Sequence, residues 1–292
     1  MSRKWVIYMV PVTRRIKSIK QPYGGYLPAR SLHTEAFDDG KVLGEETVHP
    51  SVMGTAVDTL SRATREENSL EEAFDISLKG ARLGGFTNSA LDLIDVIRTS
   101  GDVLSDDSIR AGLALVKYDS IYRAGLVPPV DPVEEYQMGA VSATTIANAR
   151  TMVQRTTDFF DRQGGVTVDG FRFIDVENLH KIESVAYSGY SEIVSEGDGD
   201  VLTPNGLWDI KVSVRKPNSQ HTLQLVMYYL MGLRSRDAYG NPLYDGAFHN
   251  VEKLGVFNPR LNTAYTADVS ELDKDMLKVV ELKVIGYPEW EL

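Results

Sequence analysis

Near residue 165 the spacing of apolar residues changes period, and this constrains the fold more than any other feature of the chain. Before it, apolar residues recur at helical spacing. Val52, Ala56, Leu60 and Ala63 share one stripe, and helical patterns continue over 70–83, 89–99, 107–124 and 143–163. In the last of these Ile146, Ala149, Met152, Val153, Phe159 and Phe160 form the inward row. Gly84-Gly85, Gly101, Gly125 and Gly164-Gly165 are the expected stops. The proline-rich stretch 127–132 reads as an extended connector.

Beyond 165 the period is two. Segments 166–168 and 171–173 flank Asp169-Gly170, a hairpin signal. Segments 188–202 and 207–214 predict a second hairpin, closed at Asn205-Gly206. A helix is expected over 219–234, then strands at 254–257 and 263–269 with Asn258-Pro259 between them. A last helix opens at Ser270-Glu271-Leu272-Asp273, a capping-box-like start, and reaches about Ile285. In the first 50 residues one buried strand is expected over 5–12, followed by loops rich in glycine and proline. The expected fold is therefore α/β, with 1–164 a strand and helical portion packed on a core formed by 165–292.

Composition narrows the chemistry. Apolar residues are 42% and charged residues 25% of the 292, which excludes collagen-like and disordered chains. Cysteine is absent, so disulfides, zinc–thiolate sites and iron–sulfur clusters are excluded. A cysteine-free chain suits a reducing, cytoplasmic address. No apolar run approaches the roughly 18–20 residues of a membrane span. The run at 5–12 is followed by Thr13-Arg14-Arg15-Ile16-Lys17 and not by a small-residue cleavage site, so no membrane partner is expected. Net charge is −10, against a general nucleic-acid coat. Yet residues 1–30 hold seven basic side chains and no acidic one, a basic arm suited to phosphates or acidic partners, or simply to solvent.

One stretch concentrates the chemistry. In 207–214, Trp208, Ile210, Val212 and Val214 face one way and Asp209, Lys211 and Ser213 the other. If Asn205-Gly206 is a two-residue loop, Pro204 pairs with Leu207, Leu202 with Asp209 and Asp200 with Lys211. Asp200, Asp209 and Lys211 then share one face within reach of a single ion. A one-residue slip would turn Asp200 to the other face. Paired carboxylates supply hard oxygen ligands for Mg²⁺ or Mn²⁺. Such an ion lowers the pKa of a bound water, while a lysine orients or deprotonates that water and counters developing charge. The bland alternative is a polar-faced hairpin with a surface ion pair worth little.

Gly197-x-x-Asp200, Asp209-x-Lys211 and Gln224-x-x-x-Tyr228, in that order, resemble the PD-(D/E)xK nuclease superfamily, in particular its RecB-like branch. The resemblance covers roughly 180–290. It implies a restriction-endonuclease-like mixed sheet flanked by helices and metal-dependent hydrolysis of phosphodiesters, in DNA more than RNA. It also implies Asp200 and Asp209 as metal ligands, Lys211 as the catalytic lysine, and Gln224 and Tyr228 as helix residues lining the site and contacting the substrate backbone. That branch usually carries Gly-x-x-x-His on an early helix. Here Gly54-Thr55-Ala56-Val57-Asp58 is the nearest match, with Asp58 as a candidate third ligand or a solvated helix residue. The departure leaves a second expectation: a catalytically impaired protein of the same fold acting as a nucleic-acid-binding or scaffolding subunit. The acidic body suits a small footprint, a DNA end, or a protein partner that delivers the substrate. Weaker candidates are Arg260, Arg215 and Lys216 for phosphate, Glu183 and Glu192 as accessory acids, His221 as a ligand or a cap, and Tyr23 and Tyr26 for stacking.

Overall fold

The computed structural model describes residues 10–174, 189–236 and 240–288. Residues 5–9 of the expected first strand, and Glu183, lie outside them. Val10 makes a single parallel bridge to Val194, but α1 (Val12–Ser18) begins immediately afterwards. The strand expectation fails there because Pro11, at φ −57°, already presets a helical entry, and Val12 and Ile16 make a buried one-turn row. The first strand, β1 (His33–Ala36), is a short exposed edge.

The helical stretch holds α2 (Pro50–Ala63), α3 (Leu70–Ala73), α4 (Asp75–Gly84), α5 (Thr87–Ser100), α6 (Asp106–Leu115), α7 (Asp119–Ala124), α8 (Pro132–Gln137) and α9 (Ala143–Arg162). The sheet half holds β2 (Val168–Ile174), β3 (Glu196–Thr203), β4 (Gly206–Ile210), α10 (Ser219–Arg234), β5 (Lys253–Asn258), β6 (Thr263–Asp268) and α11 (Lys274–Val279). Among the described residues six strands form one sheet in the order β1-β6-β5-β4-β3-β2. Only β4 and β5 pair in parallel, with α10 as their crossover. Among the described residues no helix is long and apolar enough to cross a membrane.

Two expected turns differ. Asp169-Gly170 does not close a hairpin, because β2 runs through it as one strand paired to β3. Gly170 supplies its positive φ of 73° inside that strand. The β3–β4 turn is Pro204-Asn205, with Thr203 opposite Gly206, so each partner moves two residues from the expected register. A two-residue slip preserves the face of every side chain. The last helix opens later than expected, with Asp273 as its N-cap.

Each face of the sheet is covered. Leu202 and Leu207 pack with Leu223, Val226 and Met227 of α10 and Val12 and Ile16 of α1. On the other face Phe159 stacks on Phe257 at 4.0 Å between centroids and meets Trp208 edge-on at 4.8 Å. Such pairs each contribute about 0.5–1.5 kcal/mol beyond area burial. The helix that carries Phe159 also carries Ile146, Ala149, Met152 and Val153 into the core of the helical bundle, so α9 joins the two cores. Residues 10–36, grouped with the helical portion in the sequence reading, instead add α1 and β1 to the sheet half.

Arg155 of α9 is buried and fixes a third seam. It donates to both oxygens of Asp39 at 2.7 Å and to the carbonyls of Lys41, Pro259 and Arg260. That contact holds the Asp39 carboxyl down at about 2.

Candidate functional site

At the C-terminal end of β4 a buried, charged cluster interrupts the apolar alternation. Leu207 points into the α10 core, so Asp209 lies on that covered face. In β3 the alternation breaks between Gly199, which abuts Phe171 of that core, and Val201, which packs on the opposite face, and Asp200 sits at the break. The ladder between β3 and β4 is recorded from Thr203–Gly206 to Val201–Trp208. One step on, the Ile210 N–H donates to Asp200 Oδ2 at 2.7 Å. The carboxylate takes a donor that a continued antiparallel ladder would give to backbone. The Lys211 N–H meanwhile bonds the Phe257 carbonyl, continuing the parallel pairing.

Asp209 is 2% exposed. Lys211 Nζ donates to its Oδ1 at 2.7 Å, and its Oδ2 is buried without a hydrogen bond. Burial, and then the Asp209 charge, raise the pKa of Asp200. Burial raises that of Asp209 against the pull of Lys211. For Lys211 burial works downward, but Asp209 and Asp200 outweigh it and the pKa rises. The lysine is thus held as an ammonium and is no ready base. The site thus has two close buried carboxylates that share one ammonium, and one carboxylate oxygen without a hydrogen bond.

The helix α10 flanks this cluster. Asn218 caps it, accepting from the backbone of Gln220 and His221, while His221 Nδ1 accepts from the Asn218 N–H. His221 is therefore a cap residue. Burial, followed by Lys211, lowers its pKa to about 4, so it is neutral. Gln224 Nε2 donates to the Tyr228 hydroxyl at 2.9 Å, and that hydroxyl donates to the Asp198 carbonyl at 2.5 Å. Tyr228 is 1% exposed. Its hydroxyl props β3 from inside, so the expected contact with substrate does not fit its place. Gly197 is required by the same packing: a Cβ there would lie 2.8 Å from Val12 Cγ2 and 3.0 Å from Tyr228 Cε1.

Arg260 is likewise not a free phosphate contact. Its Nη2 donates to both oxygens of Glu46 at 2.8 Å, in a pair only 15% and 10% exposed. Glu192 is exposed ahead of β3, and Arg215 and Lys216 are exposed just after β4. Tyr23 is fully exposed and Tyr26 half-buried, on a loop whose Gly25 abuts Ser219 at the start of α10.

Asp58 does come to the site. Its charge raises the pKa of Asp209, and the Asp200 charge in turn raises that of Asp58, after burial and against Arg62. Its direct partner is Arg62, with Nε 3.4 Å from Oδ1. Among the described residues no three acidic or histidine side chains stand together at ligand spacing, so Asp58 is not preplaced as a third ligand. The sequence reading missed Arg62 and Asp169, the latter on β2 and 3.6 Å from Arg62. The i, i+4 spacing of Asp58 and Arg62 was the available signal for the first.

No family model, curated protein or solved structure matches the chain, so its reading rests on the geometry of the site.

Proposed function

We propose that the chain is a divalent-metal-dependent nuclease of the PD-(D/E)xK kind, hydrolysing phosphodiester bonds in nucleic acid, with DNA the preferred substrate. The observation that carries the reading is the buried Asp209 Oδ2 without a hydrogen bond, beside Asp200 and Lys211. The element order supports it: a helix, three antiparallel strands, a helix and a strand parallel to the third (α9-β2-β3-β4-α10-β5). So does the placing of Gly197, Asp200 and Asp209 on adjacent strands, with Lys211 just past the end of β4 and Gln224 on the helix that follows.

Asp200 and Asp209 would hold Mg²⁺ or Mn²⁺ with the oxygens the protein leaves unbonded. The ion supplies Lewis acidity, lowering the pKa of water and offsetting charge on the phosphoryl group. The chain's own residues do the rest. In hydrolysis the water oxygen bonds to phosphorus and one phosphorus–ester oxygen bond breaks. The water gives up a proton and the departing oxygen gains one. Lys211, kept protonated by its two carboxylates, meets the charge that builds on phosphorus's oxygens. Gln224 and the Tyr228–Asp198 bond hold the β3 backbone beside Asp200. Arg215 and Lys216 after β4, and Arg14 and Lys17 on α1, all exposed, would supply contacts to flanking phosphates.

A second reading is a catalytically impaired subunit that binds nucleic acid. The Lys211–Asp209 pair and the engagement of Asp58 by Arg62 favour it. Incubation of linear and circular, single- and double-stranded DNA with Mn²⁺ separates the two. The nuclease reading expects cleavage by the wild type that Lys211→Ala lowers by about 10²-fold or more. Absence of cleavage, with nucleic-acid binding retained, favours the second reading.

A further inference from the structure

Arg62 is a cation aimed into the site from outside the sheet. Asp58 and Arg62 are one turn apart on α2, and the guanidinium lies between Asp58 Oδ1 at 3.4 Å and Asp169 Oδ1 at 3.6 Å. Neither contact has the short, paired geometry of a bidentate arginine–carboxylate bridge. Asp169 has other partners at its Oδ2, where Arg65 pairs and Asn68 Nδ2 donates at 2.6 Å, while its buried Oδ1 makes no hydrogen bond.

The arginine packs against the backbone of β2. Pairs Asp169–Val201 and Phe171–Gly199 place Gly170 at the position that faces Asp200. A Cβ on Gly170 would lie 2.9 Å from Arg62 Nη1. The guanidinium therefore rests over a glycine on the strand next to the candidate metal ligand. The Arg62 side chain keeps 24% of its surface exposed.

The donor set decides what it is for. Among the described residues no third acidic or histidine side chain stands with Asp200 and Asp209 at ligand spacing, and Asp58, the carboxylate nearest to joining them, is held by Arg62. Such a set holds one divalent ion, with a guanidinium beside it.

We propose that Arg62 is a catalytic residue that receives the non-bridging oxygens of the reacting phosphate, with Asp58 as its positioning residue, so that the site works with one divalent ion and not two. The inference rests on the nuclease reading above for its substrate. Arg62 keeps its protons throughout and donates N–H groups as negative charge grows on the phosphoryl oxygens. Asp58 then holds an arginine, where the resembling family would hold a metal with histidine.

The test compares wild type, Arg62→Gln, Arg62→Lys and Asp58→Asn. Calorimetric titration with MnCl₂ is expected to give one ion per chain in all four, with affinity changed by less than about threefold. Fluorescence anisotropy of a short labelled oligothymidylate in Ca²⁺ is expected to show about tenfold weaker binding or worse in Arg62→Gln, with partial recovery in Arg62→Lys. In Mn²⁺, kcat is expected to fall by about 10²–10³-fold in Arg62→Gln. Weakened oligonucleotide binding at unchanged Mn²⁺ stoichiometry supports the inference even if no strand is cut, in which case the nuclease reading alone fails. Two Mn²⁺ per wild-type chain, loss of the Mn²⁺ site in Asp58→Asn, or equal oligonucleotide affinity in wild type and Arg62→Gln overturns it, whether or not DNA is cleaved. If Arg62→Gln does not fold, Arg62→Lys decides: unchanged affinity and kcat there overturn the inference.

Discussion

Asp209 commits one oxygen to Lys211 and the other to nothing in the protein, so the metal-free fold leaves a buried carboxylate oxygen without a hydrogen bond, and Asp200 stands close by with only part of one ammonium to offset it. Burial and the Asp209 charge put the Asp200 pKa above its unfolded value. A carboxyl raised in this way favours the fold below the ordinary carboxylate range, near pH 4, and that contribution is lost as pH rises through the raised value. The chelated wild type should therefore lose stability as pH increases above about 4. Asp200→Asn keeps an oxygen for the Ile210 N–H and removes the repulsion. It should be more stable than the chelated wild type at pH 7–8 by about 1–3 kcal/mol, read from thermal melts at several pH values. An unchanged or lower melting temperature would mean that Asp200 is already compensated. Tyr228→Phe tests the inward role of that hydroxyl. Losing its bonds to Asp198 and Gln224 should cost about 1–3 kcal/mol of stability. KM should be unchanged and any loss should fall on kcat. A raised KM alone would restore the substrate contact.

At the scale of elements, the glycines of β3 set the site's floor. A Cβ at Gly199 would lie 1.8 Å from the Phe171 ring on the paired strand. Gly199→Ala should cost about 1–3 kcal/mol in denaturant melts, through displacement of Phe171. Arg155→Ala should cost about 3–5 kcal/mol, because it strands the Asp39 charge and frees the β5–β6 turn together with the segment around residue 40. Much of this layer was legible from pattern alone. The helices at 143–162 and 219–234 follow from long apolar rows, and the helix at 219–234 matches its expected bounds. Asp200, Asp209 and Lys211 come together despite a misplaced turn, through the Ile210 N–H bond to Asp200 and the Lys211 bond to Asp209. Asp169-Gly170 misled because Asp-Gly is a strong local turn signal. Here Gly170 takes its positive φ inside a paired strand, with Arg62, more than a hundred residues away in sequence, packed beside it. Arg260 and Tyr228 misled for a related reason. Whether a polar side chain is free depends on its partner, and Glu46 and Asp198 are remote in sequence.

For the molecule as a whole, α9 couples the helical bundle to the sheet, and α2 brings Asp58 and Arg62 from that bundle to the end of β4. The site is thus assembled from both cores, and an ion bound there should stabilise the entire fold. Mass action sets the scale: about 2.7 kcal/mol at a hundredfold excess over Kd. The most direct measurement is calorimetric titration of MnCl₂ into metal-free wild type and into Asp209→Asn. The account predicts saturable binding of one ion per wild-type chain that the single substitution abolishes. Equal heats in the two proteins, or none in either, would contradict it.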